Sequence, residues 1–298
     1  MRILNFGSMN IDHVYQVDHI TAPGETIASS RLQFLPGGKG LNQSIALAKS
    51  GAETYHAGCS GTDAAILLEL LKTSGVRLDY LRPVDQVNGH AIIQVNKDGQ
   101  NSIIIYGGSN TAVTPQMVDE VLDQFSAENT MVLIQNEISQ VAYIATKCQE
   151  KKIPLAFNPS PYSAELETFP FEAVTYLLIN ETEGKQISGL RDPEQIVDFL
   201  LKKYPQMRVV LTLGGDGAYY ADAGCRICQQ AFRVKAVDTT GAGDTFTGFF
   251  LGLIMKGCKI EKALRYACAA AAISVTASGA ATSIPTLEEV EAFLAERE

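Results

Sequence analysis

Gly241-Ala242-Gly243-Asp244 puts a carboxylate in the opening turn of a helical stretch, directly after three residues with little or no side chain. The first N–H groups of a helix lack intrahelical partners and carry the positive end of its dipole, and small residues let a ligand approach the backbone. An anion held there beside a carboxylate is an arrangement for proton removal: Asp244 takes the proton while the backbone steadies the charge that moves. The same residues also fit a purely structural account, in which Asp244 caps its helix and the glycines make a tight turn.

Other polar groups cluster at the ends of apolar runs. Pro36-Gly37-Gly38-Lys39-Gly40-Leu41-Asn42-Gln43 opens the first long helix. It is not a Walker A loop, because Gln33 and Gly40 stand where that motif needs Gly and Ser or Thr. It is either a flexible connection or a close backbone approach to a polar ligand, with Lys39 and Asn42 as donors. Asn10 and Asp12 lie just past the first apolar run; two apart, they point the same way in extended chain, which suits neighbouring hydroxyls, although both types also form turns. Glu137 has the same standing after the run Met131 to Gln135. Asn180 and Glu183 have capping-box spacing, and the alternative is that Glu183 orders water on Mg²⁺ near a triphosphate. Thr212-Leu213-Gly214-Gly215-Asp216-Gly217 is a tight turn that either cradles phosphates or only reverses the chain.

The elements that must position these groups alternate. Strand signals at 2–7, 54–57, 131–135, 155–158, 176–180 and 209–213 are followed by helical stretches at 40–50, 64–74, 115–124, 140–150, 181–188 and 193–203. Such alternation implies an α/β fold, a three-layer α/β/α arrangement around a mostly parallel sheet, with ligands at the carboxyl ends of the strands. Two excursions break the pattern. Residues 11–36 and 88–107 read as strand pairs without a helix between them, the second around an Asp98-Gly99 hairpin turn. They are expected to form one small β-sheet, a lid over the site, within a single domain of 1–298. From Gly241 to Thr276 the chain reads as two helices separated near Gly257, and Pro285 precedes a last amphipathic helix.

With 46% hydrophobic residues the chain of 298 is an ordinary globular protein. Its net charge of −9 argues against a nucleic-acid or anionic-membrane partner, so any phosphate must be held locally. No apolar run approaches the roughly 20 residues that span a bilayer, and the N-terminus turns polar at Asn5, so a cytoplasmic location is expected. Cys225 and Cys228 form a CxxC, but with no second pair or nearby His they read as chance spacing in a hairpin. His13, His19, His56 and His90 have no metal-ligand spacing.

Taken together, the turn at 37–43 and Asp238-Thr239-Thr240-Gly241-Ala242-Gly243-Asp244 resemble the two signatures of the ribokinase-like family of carbohydrate and purine kinases, over the whole chain. Asn10-Ile11-Asp12-His13, Pro23-Gly24-Glu25-Thr26, Asn158-Pro159-Ser160-Pro161 and Asn180-Glu181-Thr182-Glu183 resemble its ribose-phosphorylating members most. The resemblance implies ATP-dependent phosphorylation of the primary hydroxyl of a pentose, D-ribose first, with another sugar, a nucleoside or an inert binding regulator as alternatives. It implies Asp244 as base and Gly241, Ala242 and Gly243 as anion hole. It places Asn10, Asp12, Gly38, Lys39, Asn42 and Glu137 on the sugar. Asn180, Glu183, Thr212, Gly214, Gly217 and Gly243 would meet ATP and its Mg²⁺ waters. A K⁺ loop would comprise Asp238, Thr240, Ser274, Ala277, Gly279 and Ser283. Cys268 stands where members often carry His or Asn near the adenine, and Leu41 replaces a smaller residue. The exposed strand edges of the lid are expected to pair with a second copy, giving a homodimer.

Overall fold

The computed structural model describes residues 1–297. The chain starts with strand β1 (Arg2–Phe6), then pairs β2 (Asn10–Gln16) with β3 (Arg31–Gly37) before helix α1 (Lys39–Lys49). Next come β4 (Glu53–Ser60), α2 (Ala65–Thr73), β5 (Arg77–Pro83), β6 (Gly89–Val95), β7 (Asn101–Tyr106) and α3 (Pro115–Leu122). Regular alternation then gives β8 (Thr130–Gln135), α4 (Val141–Lys151), β9 (Leu155–Asn158), β10 (Tyr176–Asn180), α5 (Glu181–Ser188), α6 (Pro193–Lys203) and β11 (Arg208–Thr212). A hairpin of β12 (Ala218–Ala221) and β13 (Arg226–Gln229) precedes α7 (Ala242–Met255), α8 (Ile260–Ser274) and α9 (Leu287–Ala295).

These strands form two sheets. The larger has nine strands in the order β13-β12-β11-β10-β9-β8-β1-β4-β5, and the smaller has four, β3-β2-β6-β7. In the larger sheet β12 runs antiparallel to β11 and to β13, and the other neighbouring pairs are parallel. The α/β/α class expected from the alternation is therefore the one observed. β5 escaped the sequence reading because its charged residues (Arg77, Asp79, Arg82) mark an edge strand rather than a buried one. Asn10 and Asp12 lie inside β2, not in a turn.

Successive residues of the central strands point to opposite faces of the large sheet, so each strand feeds two cores. Ile3, Met131 and Leu133 join one core with α1, α7, α8 and α9; Leu4, Phe6, Val132 and Ile134 join the other with α3, α4 and α6. The face toward α1 also carries Asn5, His56 and Gln135, all buried. Leu41 is fully buried in the first core, so its extra bulk is used in packing.

Helices α1 and α7 lie against each other through small residues at helical spacing. A Cβ on Gly248 would fall 2.3 Å from Ala46 Cβ, and one on Gly252 would fall 1.9 Å from Ser50 Oγ. Residues 244, 248 and 252 share one face of α7, as 42 and 46 share one face of α1, continued by Ser50 at its C-cap. The close approach of the two stripes lays Asp244 over Asn42 and Gln43. No helix among the described residues is long and apolar enough to cross a membrane.

Candidate active site

Asp244 is buried in the first turn of α7, yet it does not cap that helix. The N-cap is Gly241, at φ +76°, with no side-chain cap. The carboxylate instead accepts hydrogen bonds from α1: Asn42 Nδ2 donates to Oδ2 at 3.0 Å and Gln43 Nε2 donates to Oδ1 at 2.8 Å. The structural account of Asp244 as a cap is thereby replaced by one in which it is aimed. Ala242 N–H makes a long turn contact to Thr239 at 3.3 Å, while the N–H groups of Gly243 and Asp244 have no partner among the described residues.

Lys39, Asn180, Glu183, Thr212, Gly241, Gly243 and Asp244 line one cleft of about 240 Å³. The carboxylate of Asp244 first, then those of Glu137 and Glu183, hold the Lys39 ammonium above its ordinary range against the opposing effect of burial. Beside this cleft, and sharing Thr212, Thr239 and Gly243 with it, is a cavity of about 630 Å³. Gly214, Gly217, Phe232, Val234, Cys268 and Val275 contribute to its wall. Burial pushes the Cys268 thiol up to about 12, so it presents as a small apolar surface.

The groups expected to meet a sugar gather where the small sheet joins α1. Asn10 Oδ1 accepts from Asn110 Nδ2 at 2.7 Å, and Asn110 Oδ1 in turn accepts from Met9 N–H at 3.0 Å. A Cβ on Gly37 would collide with Asp12, and one on Gly38 would press on the backbone of Asn10. Glu137 accepts from Ser8 Oγ and from Lys39 N–H. Burial, reinforced by Glu137, pushes Asp12 up to about 6; burial likewise raises Glu137, against the pull of Lys39.

Asn180 and Glu183 form the reciprocal capping box read from their spacing, which occupies Glu183 Oε2. In the loop toward α7, Asp238 Oδ1 accepts from Thr240 N–H at 2.9 Å and from its hydroxyl at 2.7 Å, while Oδ2 accepts from Gly279 N–H at 2.9 Å. The loops at 238–240 and 274–283 are thus joined. Ser274 and Ser283 donate their hydroxyls to nearby backbone carbonyls, whereas the carbonyls of Thr240, Ala277 and Gly279 take no hydrogen bond among the described residues.

Several residues at the site carried no role in the sequence reading. Ser8 and Asn110 hold Glu137 and Asn10, and Gln43, Asn158, Gln135, Asn5, Ser44 and His56 form a buried chain beneath Asp244. The available signal was a polar residue interrupting an apolar strand, as in Ile3-Leu4-Asn5-Phe6. The pair Cys225 and Cys228 has free thiols in the β12–β13 hairpin, away from these cavities.

The profile of the pfkB family carbohydrate kinases matches residues 2–287. The chain is 36% identical over 292 residues to the ribokinase of Bacillus subtilis (strain 168), covering 97% of each. Among solved structures it is similar to Arabidopsis thaliana ribokinase complexed with ribose and ATP, at 33% identity and a TM-score of 0.88 over 98% of each chain. It is also similar to a ribokinase from Cryptococcus neoformans var. grubii serotype A in complex with ADP, at 31% identity and TM-score 0.85 over 100% of this chain and 99% of that one.

Proposed function

The chain belongs to the pfkB family of carbohydrate kinases, and we propose that it transfers the γ-phosphoryl group of ATP to the primary hydroxyl of D-ribose, giving D-ribose 5-phosphate. It is a phosphotransferase with an alcohol acceptor. The observation that carries the reading is the meeting, in one cleft, of a buried carboxylate, a lysine and unpaired helix N–H groups, continuous with a largely apolar cavity.

In this reading Asp244 orients the sugar hydroxyl and takes its proton as the new oxygen–phosphorus bond forms. The bond to the bridging oxygen breaks and ADP leaves. Such transfers pass through a loose transition state, so positioning and charge stabilisation do most of the work. The turn Gly241-Ala242-Gly243 serves as the anion hole. Asn10, Asp12, Gly38, Lys39, Asn42 and Glu137 hold the sugar; Asn180, Glu183, Thr212, Gly214, Gly217 and Gly243 hold the phosphates, with the base in the cavity against Cys268. The small sheet excludes water that would otherwise accept the phosphoryl group.

Glu183 fits a role beside Mg²⁺ because its Oε1 is not used by the capping box. That ion supplies charge neutralisation on the phosphates. The loop pair at 238–240 and 274–283 fits a K⁺ ion through Asp238 and the unpaired carbonyls of Thr240, Ala277 and Gly279, with Ser274 and Ser283 in the same loops. The enzyme acts in the cytoplasm as a homodimer joined through its lids.

ADP release, assayed over ribose, 2-deoxyribose, fructose and adenosine in K⁺ and in Na⁺, tests the reading. Ribose is expected to give the highest kcat/KM, and K⁺ to raise it. Preference for another acceptor would overturn the choice of sugar, and no stimulation by any acceptor would favour an inert binding regulator.

A further inference from the structure

The chain of buried amides beneath Asp244 has a direction, set at its far ends by backbone carbonyls, which can only accept hydrogen bonds. Asn5 Nδ2 donates to Gly40 O at 2.8 Å, so Asn5 Oδ1 must face Gln135. Gln135 Nε2 then donates both ways, to Asn5 Oδ1 at 3.0 Å and to Gln43 Oε1 at 2.6 Å. Gln43 is left with only its N–H edge toward Asp244. A separate branch enforces the same outcome. Asn158 Nδ2 donates to Leu178 O at 2.9 Å, so Asn158 Oδ1 faces Gln43 Nε2 at 3.1 Å.

The remote end is fixed similarly. His56 Nε2–H donates to Gly7 O at 3.1 Å, and its unprotonated Nδ1 accepts from Ser44 Oγ at 2.8 Å. Burial lowers His56 to about 4, which keeps it neutral, and the Gly7 carbonyl selects the tautomer. Ser44 Oγ accepts from Asn5 Nδ2 at 2.8 Å.

Gln135 is the telling member. It spends its N–H₂ on two carbonyls while its own Oε1, buried, has no partner. A buried acceptor left unpaired costs about 1–3 kcal/mol, a cost set here against the two buried carbonyls, Asn5 Oδ1 and Gln43 Oε1, that the Gln135 amide satisfies. Its effect is on orientation: Gln135 is the donor to Gln43 Oε1, and without it the carbonyl end of that amide is unheld and only the Asn158 branch fixes its N–H edge on Asp244.

We propose that Gln135 and Asn5 are positioning residues for phosphoryl transfer, acting through Gln43 to hold the Asp244 carboxylate in the one orientation from which it meets the acceptor hydroxyl. They touch neither sugar nor nucleotide. This rests on Asp244 being the base.

The test is steady-state kinetics of Gln135→Met beside wild type and Asp244→Asn. Met keeps the volume and removes both donors. Its kcat is expected to fall about ten- to a hundredfold, the scale on which misplacing a reacting group acts, with KM for ribose and for ATP within about twofold of wild type. A kcat within twofold of wild type, or a common fall in activity that tracks loss of folded protein, overturns the proposal. Gln135→Glu gives a second measurement that keeps the shape of the side chain. Neutral, it donates one hydrogen bond; ionised, it donates none, so its kcat relative to wild type is expected to drop as pH rises. A ratio independent of pH counts against the proposal. Turnover retained in Asp244→Asn would remove the base assignment and this inference together, whereas a dead Asp244→Asn beside a normal Gln135→Met removes the inference alone.

Discussion

Asp244 and Gln43 are 201 residues apart in sequence and meet at 2.8 Å, carboxylate oxygen to amide nitrogen. With Asn42 on the other oxygen, each carboxylate oxygen faces an N–H from α1. An amide at 244 can satisfy only one of those donors, since its own N–H₂ would face the other. Asp244→Asn is therefore expected to lower turnover by about a thousandfold, the scale of general-base catalysis, and to lower stability by about 1–3 kcal/mol. Calorimetry should still find both ATP and ribose bound. Near-normal turnover would sink the base assignment.

Asp12 gives a prediction with a pH sign. Its pKa rises from 3.8 to about 6 on folding, through burial and then the charge of Glu137. Between those values the native state binds more protons than the unfolded state, so stability falls as pH rises through the window. The ionised carboxylate then costs at most about 3 kcal/mol above pH 6. Asp12→Asn should raise the thermal midpoint of the ligand-free protein at pH 7.5, with the gain fading toward pH 4. The same change should weaken ribose binding far more than ATP binding. A gain that is constant with pH would contradict the role of ionisation, and equal loss of both ligands would contradict the role on the sugar.

The glycines that open α7 separate fold from function. Gly241 sits at φ +76°, and a Cβ there would fall 2.8 Å from Ala280 Cβ, in the loop that carries Gly279. Gly241→Ala should cost about 1–2 kcal/mol from its left-handed backbone alone, with a lower thermal midpoint. A Cβ on Gly243 meets nothing within 4 Å. Gly243→Ala should fold with an unchanged midpoint and yet bind ATP more weakly, because the added methyl enters the space beside its free N–H. Undiminished ATP affinity in Gly243→Ala would remove the anion-hole role.

Those glycines and Asp244 stand out in the sequence because the pattern is local: a helix start, small residues and a carboxylate fall within one turn. The alternation of strands and helices was legible for the same reason, since each period is short. The buried amide chain was not. Asn5, His56 and Gln135 come from separate strands and meet only because β4, β1 and β8 are neighbours in the sheet. Each reads locally as a polar residue in an apolar run, with nothing to say which face it takes. Sequence alone leaves the cap account of Asp244 open because its partners on α1 lie two hundred residues upstream, brought close by Gly248 and Gly252.

The small sheet supplies the last prediction. Its outer strand β7 exposes Ile103, Ile104, Ile105 and Tyr106 at 51–64%. Alternate residues of a strand point to opposite faces, so β7 is uncovered on both. In the row that pairs His13 with Phe34, and Ile92 with Ile104, Phe34 is 56% exposed and Ile104 64%. An apolar edge strand bare on both faces invites pairing with another chain unless something covers it. If two lids cover each other, the wild-type protein should run as a dimer by light scattering. Ile104→Asp should shift it to monomer by placing a charge in the contact. If the small sheet covers the sugar beside Asp12 as proposed, the same change should also weaken ribose binding. A wild-type monomer at assay concentration would refute the dimer. A dimer undisturbed by Ile104→Asp would put the contact elsewhere on the molecule.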